Sequence, residues 1–252
     1  MRFSLILAAA SFPFAGAAHA GDFFLSTTLG YESRYVFRGV QYSESTIQPG
    51  VTVGLDGFYL TAWANLPIGD SDFAVSPEWQ ELDLVAGWSG ALGDVATLDV
   101  GVTYYVYPNR MSGFGDVFKE DGSGLGANTV EPFIGLAFTA PLSPKLYLYH
   151  DFMFDTTTLQ GSLAHSFPLA ETLGFDLGGI VGYVVDDSGG TDYLYGHAAA
   201  NVSYALSPSA SAYIGVRYGG SDIVGGSIYD DGVAGTTDPS GFWWGIGFTA
   251  KF

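Results

Sequence analysis

The sequence predicts an all-β protein, a transmembrane antiparallel up-and-down β-barrel of about 12 strands, and leaves 10 or 14 strands open. Three observations predict this fold. Apolar and polar residues alternate in segments of about ten residues, the length of a tilted strand that crosses a bilayer. The chain is apolar although it is acidic. The connections between the segments are alternately short and long, as in outer-membrane barrels.

The composition excludes several classes of protein. The 252 residues include 8 Lys and Arg against 26 Asp and Glu, for a formal net charge of −18, yet mean hydropathy is +0.24. Nucleic acid is excluded as a partner because phosphates require a basic surface. Disorder is excluded because 16% of the residues are aromatic. The absence of Cys excludes a disulfide framework, a thiolate metal site and a cysteine nucleophile.

The first 20 residues form the first element. Arg2 precedes an apolar stretch, and Ala18-His19-Ala20 has the small-x-small pattern of a signal-peptidase site. We therefore expect residues 1–20 to be a cleaved Sec-type signal peptide and residues 21–252 to be the barrel. The mature chain is then more acidic than the precursor because Arg2 is removed. No later segment is long and apolar enough for a membrane-spanning helix.

Twelve alternating segments follow in order. In the second of them, for example, Ile47, Val51 and Val53 alternate with Gln48 and Thr52. The following Asp-Gly pair at 56–57 predicts a tight hairpin turn. The twelve predicted segments are 23–35, 47–55, 58–65, 81–88, 98–107, 131–139, 145–155, 159–167, 173–183, 194–204, 211–218 and 242–252.

Short and long connections alternate along the chain, as expected for a barrel whose two termini both lie on the periplasmic side. The predicted short connections are 56–57, 89–94, 140–144, 168–171 and 207–209. The predicted longer ones are 36–46, 67–76, 108–127, 186–192 and 219–240, and only the tight turn near 155–156 departs from the rule. The terminal Phe252, on a strand of alternating apolar residues, looks like the signal that barrel-assembly machinery reads.

A soluble sandwich or lipocalin-like barrel also has alternating strands, but it turns the apolar face inward and the charged face outward. This chain has more large apolar residues than a small closed core uses. Only 13% of its residues are charged, too few to cover an outer surface. The pattern therefore favours a barrel in the outer membrane of a Gram-negative bacterium, in contact with membrane lipid and lipopolysaccharide.

One motif carries a family resemblance. Ser33–Val40 reads SRYVFRGV and resembles the opening motif of the TorF porin family, also called the Gcw_chp domain. The resemblance covers about residues 29–108, and only generic alternation follows. It implies an outer-membrane β-barrel that acts as a channel. Ala64 departs from the small polar residue usual in the family after the tryptophan. The later matching positions are Gly57-Phe58-Tyr59, Trp63, Asn65, Glu81-Leu82-Asp83-Leu84, Gly87, Tyr104-Tyr105, Tyr107 and Pro108.

The polar faces of the strands predict the lining of the lumen. We expect Arg38 at the pore mouth, since it comes just after the first strand. The predicted charged pore-lining residues are Glu32, Arg34, Glu81, Asp83, Asp99, Glu131, Asp151, Asp155, Asp176 and Arg217. The predicted lumen aromatics are Tyr59, Trp63, Tyr105, Tyr147, Tyr149 and Tyr213.

Two functions of this lumen stay open at the level of sequence. An acid-lined, aromatic pore would be a narrow, cation-preferring channel for small solutes. Alternatively, the same charges would form internal ion pairs that hold a closed structural or binding barrel together. A barrel of 12 strands lies between the small barrels filled by side chains and the large water-filled porins. The long connection 108–127 is also a candidate plug.

Two further alternatives are weaker. A lipid hydrolase needs a Ser, a His and an orienting group on one face, and His150, His165 and His197 have no such partner two residues away. We therefore expect no enzymatic activity, no catalytic residue and no cofactor. The acidic, glycine-bearing segments 186–190 and 229–232 and the acidic segment 70–72 do not have the spacing of an EF-hand loop, so we expect solvated surface rather than a metal site.

Overall fold

The computed structural model describes residues 23–68, 80–108, 128–222 and 240–252. Within them, twelve strands form a closed barrel and two form a separate hairpin, which confirms the predicted fold class. The barrel strands are β1 (Phe23–Glu32), β4 (Thr46–Leu55), β5 (Phe58–Pro67), β6 (Glu81–Leu92), β7 (Ala96–Val106), β8 (Thr129–Phe138), β9 (Lys145–Asp151), β10 (Thr156–Pro168), β11 (Leu173–Asp186), β12 (Tyr193–Ser207), β13 (Ala210–Ser221) and β14 (Ser240–Lys251). The hairpin strands are β2 (Tyr35–Phe37) and β3 (Val40–Ser43).

The barrel is an antiparallel meander. Each barrel strand pairs with the next barrel strand along the chain, and β1 closes the ring by pairing with β14 from Ser26 opposite Lys251 to Glu32 opposite Gly245. The hairpin strands pair only with each other among the described residues. No helix of the described residues is long and apolar enough to cross a membrane.

Each of the twelve alternating segments predicted from the sequence corresponds to one barrel strand. The predicted turn at Asp56-Gly57 has φ values of 54° and 85°, the left-handed pair of a type I′ hairpin turn. The first strand ends at Glu32 rather than Tyr35. The 36–46 connection, expected as a loop, contains the hairpin instead. The predicted signal peptide and the 108–127 plug lie wholly or almost wholly outside the described residues.

The outer face is apolar. Phe58 and Phe242 are 65% and 71% exposed, a surface that only lipid or another apolar phase covers. Outward aromatic residues form two belts, as expected at the two interfaces of a membrane. The belt at the short-turn end consists of Phe23, Phe58, Trp88, Phe138, Phe167, Tyr204 and Phe252, and the belt at the other end consists of Tyr31, Tyr104, Phe152, Tyr183, Tyr218 and Phe242.

The inner face is polar and aromatic, and it is here that the buried side chains lie. Because side chains alternate across each strand, every second residue points into the barrel. Fully buried side chains therefore include charged and hydroxyl groups rather than the aliphatic core of a soluble protein. The largest of them are Arg217, Glu131, Asn65, Asn128, Thr46, Thr103, Thr129, Thr158 and Ser43.

Candidate functional site in the barrel lumen

The hairpin β2–β3 folds inward. Tyr35 and Val40 are 3% and 7% exposed, which buries the hairpin within the barrel. Its two-residue turn is Arg38-Gly39, with φ values of 47° and 78°, again the type I′ geometry. A Cβ atom on Gly39 would overlap Gly220 and Ser221 of β13 and Tyr195 of β12. The tip of the hairpin therefore packs directly against the wall formed by β12 and β13.

The hairpin also contacts the wall formed by β5, β6 and β7. The Tyr35 hydroxyl donates to Glu81 Oε1 at 3.3 Å, and the Tyr35 and Trp63 rings lie 5.7 Å apart. The rings of Phe37 and Tyr105 lie 6.3 Å apart. Together with the packing of its tip on β12 and β13, these contacts extend the hairpin across the lumen and narrow it.

Arg38 is anchored on β8 and β9. Its Nη1 lies 2.7 Å from Glu131 Oε2, and its Cζ lies over the rings of Phe37 and Tyr149 at 4.7 and 5.0 Å. The Tyr105 hydroxyl donates to the other oxygen of Glu131 at 2.9 Å. The sequence placed Arg38 at the pore mouth, whereas the inward hairpin carries it into the lumen.

A second arginine pairs on the wall formed by β1, β12 and β13. Arg217 Nη2 lies 3.0 Å from Glu32 Oε1, and Arg217 Nη1 donates to Asn201 Oδ1 at 3.1 Å. The guanidinium also lies over the Tyr213 ring at 5.6 Å. Arg217 is 1% exposed, so this pair is held within the lumen rather than at its rim.

The other predicted carboxylates of the strands are also buried inside the barrel. Asp99 accepts hydrogen bonds from Tyr59 and Tyr147, both at 2.9 Å. Asp151 accepts one from Thr129 at 2.6 Å, and Asp176 accepts one from Ser166 at 2.5 Å. Asp83 Oδ1 is buried without a hydrogen-bond partner among the described residues. The seven buried carboxylates are Glu32, Glu81, Asp83, Asp99, Glu131, Asp151 and Asp176.

One predicted pore-lining residue lies elsewhere. Asp155 is exposed in the turn between β9 and β10, with a φ of 48°. It was placed in the lumen by continuing the alternation past the last strand residue, where the pleat no longer determines the direction of a side chain. Arg34 follows the end of β1 and is exposed, and its Nη1 lies beside the inner face of Gly241, which alternates with the outward Phe242 on β14.

The predicted lumen aromatics Tyr59, Trp63, Tyr105, Tyr147, Tyr149 and Tyr213 all point inward. Sequence reasoning missed two pairs of lumen aromatics. One pair is Tyr35 and Phe37 of the hairpin. The other is Tyr193 and Tyr195 of β12, which pack together with Val184 of β11. The phase of β12 gives a signal for the last two, because they alternate with the outward Leu194. Gly39, between two short β-prone runs, gives a signal for the hairpin turn.

Several lumen rings lie against the wall rather than across the lumen. Tyr59 lies over Gly87 of the next strand, and Tyr147 lies over Gly135, so that a Cβ atom on either glycine would overlap the ring. In both cases the glycine is directly opposite the tyrosine in the strand register. The glycines thus let bulky aromatic residues line the lumen without filling it.

The three histidines among the described residues do not form a hydrolytic triad with the groups that contact them. His150 Nδ1 lies 3.0 Å from Thr157 Oγ1 on the outer face, but the Thr157 hydroxyl donates to Asp187 at 2.6 Å. The carboxylate rather than the imidazole therefore receives the hydroxyl hydrogen, whereas a nucleophile must donate to its histidine base. His165 packs edge-on against Phe167 on the outer face, and His197 packs against Trp243 in the lumen.

The acidic turn after β11 has internal partners. The Asp186 carboxylate accepts hydrogen bonds from the backbone N–H and the hydroxyl of Ser188, at 3.0 and 2.5 Å, which closes the turn. No group of three or more His, Asp or Glu in the part of the chain that the structure describes is arranged to hold a metal ion. The acidic segments at 70–72 and 229–232 lie outside the described residues.

Solved structures of similar fold include porins. The NanC porin has 13% identity and a TM-score of 0.53, with 90% of this chain and all of that chain covered. The KdgM porin has 13% identity and a TM-score of 0.54, with 90% and 99% covered. A KdgM porin in complex with disordered oligogalacturonate has 12% identity and a TM-score of 0.52, with 91% and 99% covered. At this identity the likeness establishes the fold, a closed antiparallel β-barrel that this chain shares with these porins.

No curated protein matches the chain. A family model does, and its description is "Bacterial protein of unknown function (Gcw_chp)". The match spans residues 16–250, well beyond the 29–108 over which the sequence showed the resemblance, and the description does not carry the TorF name. The chain belongs to the Gcw_chp family.

Proposed function

We propose that this protein is a narrow, cation-preferring channel that passes small solutes across the outer membrane. One observation carries the proposal: seven buried carboxylates face the inside of a porin-type barrel. The buried or half-buried basic side chains of the described residues that face inward are Arg38, Arg217 and Lys145. An excess of fixed negative charge in a confined passage raises the local concentration of cations and repels anions.

The excess of carboxylates distinguishes this lumen from one built for acidic sugars. Oligogalacturonate, which the similar KdgM porin structure contains, is a polyanion. A lumen with more carboxylates than basic groups would repel such a chain. We therefore propose that the solute is cationic or neutral. The ring faces along the wall, such as those of Tyr59 and Tyr147, favour solutes with an apolar part.

A closed structural or binding barrel is the second candidate function. The inward hairpin and the two ion pairs Arg38–Glu131 and Arg217–Glu32 favour it, because they place packed side chains in the passage. The two functions differ in one measurable property. A closed barrel carries no ionic current, whereas a narrow channel does.

The charge preference is tested by the reversal potential of the purified barrel in a planar bilayer under a KCl gradient. We expect the sign that K⁺ preference gives. The double variant Asp99→Asn and Asp176→Asn removes two lumen charges and is expected to shift the reversal potential toward zero. An exposed-turn control, Asp155→Asn, is expected to leave it unchanged. A reversal potential of the sign that Cl⁻ preference gives would contradict the proposal.

A further inference from the structure

We propose that the wall formed by β7, β8 and β9 holds a binding site for guanidinium-bearing organic cations, and that Arg38 is a tethered occupant of this site. The proposal names a solute class for the channel and in that respect rests on the proposed function, whereas the binding itself does not.

The wall supplies an oriented carboxylate. Glu131 is 1% exposed, and the Tyr105 hydroxyl on the neighbouring strand occupies its Oε1 at 2.9 Å. This leaves Oε2 for a cation, and Arg38 Nη1 lies 2.7 Å from it. An ion pair that is shielded from water is stronger than an exposed one, because the local dielectric constant is low. The wall, and not the hairpin, therefore determines where the positive charge sits.

The wall also supplies a ring face. The Arg38 guanidinium lies over the Tyr149 ring at 5.0 Å, within the range of a cation–π contact. That ring is held from within the wall, because it stacks on Tyr147 at 5.6 Å with an interplanar angle of 22° and contacts Phe133 at 6.0 Å. A carboxylate beside an aromatic face suits a flat, delocalised cation such as guanidinium.

The charge balance around this site favours an external cation when Arg38 is removed. Glu81, Asp83 and Asp151 all interact electrostatically with Glu131. Asp83 Oδ1 is buried without a hydrogen-bond partner among the described residues. The described residues thus place three further carboxyl groups near Glu131. Without Arg38 the buried Glu131 carboxylate would lose its ion-pair partner.

The position of Arg38 supports a role as occupant rather than as a turn residue. Both positions of a type I′ turn require positive φ, for which Asn, Asp and Gly are favoured and Arg is not. Arg38 nevertheless adopts a φ of 47° there. Backbone preference does not account for an arginine at this point, whereas the Glu131 carboxylate and the Tyr149 ring do.

The test compares binding of L-argininamide to detergent-solubilised wild type, Arg38→Ala and Arg38→Ala with Glu131→Gln by calorimetry. We expect the single variant to bind about tenfold more tightly than wild type, equivalent to about 1.4 kcal/mol, because the tethered competitor is absent. The gain should disappear in the double variant. L-citrullinamide, whose side chain is the neutral isostere, should not distinguish the three proteins.

Folding is checked by the difference in gel migration between boiled and unboiled samples.

Arg38→Met, which keeps an aliphatic stem between the rings of Phe37 and Tyr149, is the second variant and should also bind more tightly than wild type. Equal binding to wild type and both Arg38 variants would overturn the site, as would binding that persists without Glu131. A barrel that binds argininamide but carries no current would contradict the proposed channel function and leave the binding site standing. A barrel that carries current but does not bind argininamide would overturn the binding site and leave the channel function standing.

Discussion

At the scale of single residues, the lumen is lined by pairs of a tyrosine and a glycine on adjacent strands. Tyr147 lies flat over Gly135, directly across from it in the register of β8 and β9. The glycine has no side chain, so the ring covers it, and the hydroxyl reaches Asp99 at 2.9 Å. The sequence predicted that Tyr147 faces inward. It could not predict which glycine the ring covers, because that depends on the strand register.

The variant Gly135→Ala tests this arrangement. The new methyl group would overlap the Tyr147 ring, so the ring must swing into the lumen or the strands must shift. We expect the free energy of unfolding in lipid vesicles to fall by about 1–3 kcal/mol, the usual cost of overpacking. Gly30→Ala is the matched control, since the nearest atoms to a Cβ there lie 3.8 Å away. Equal stability of Gly135→Ala and wild type would contradict the packing described.

At the scale of elements, the inward hairpin is the main feature that the sequence did not reveal. Alternation predicts that a segment is a strand but not which strands it pairs with. Residues 33–45 were therefore predicted to be the end of the first strand followed by a loop. The inward course depends on contacts between distant parts of the chain, such as Arg38 with Glu131 and Tyr35 with Glu81. The SRYVFRGV motif nevertheless marks the segment, since it includes the whole of β2, the turn and the first residue of β3.

The hairpin is expected to be separable from the barrel. Its strands pair with each other and not with the twelve barrel strands, so replacing residues 34–44 by a short Gly-Ser linker removes no part of the barrel ladder. We expect boiled and unboiled samples of the variant to migrate differently in a gel, as boiled and unboiled samples of the wild type do. Replacing the exposed turn 187–191 in the same way is the control. Loss of heat-modifiable migration in the hairpin variant alone would show that the barrel requires the hairpin.

At the scale of the whole molecule, alternation and connection length were enough to predict a closed barrel of about twelve strands, with 10 or 14 left open. These signals are local, because each strand shows its two faces within about ten residues. The direction of most lumen carboxylates follows from the same period, and Asp155 differs where its strand ends. The inward course of the hairpin is not a local property. It depends on long-range contacts, such as the one between Arg38 and the Glu131 carboxylate on the far wall.

The central claim is that this barrel is a channel whose passage the hairpin narrows. Single-channel recording in planar bilayers tests it most directly, with wild type beside the variant in which residues 34–44 are replaced. We predict discrete current steps for both proteins, with a severalfold larger conductance in the variant, because conductance rises with the open cross-section. The absence of current steps in both folded barrels would contradict the claim.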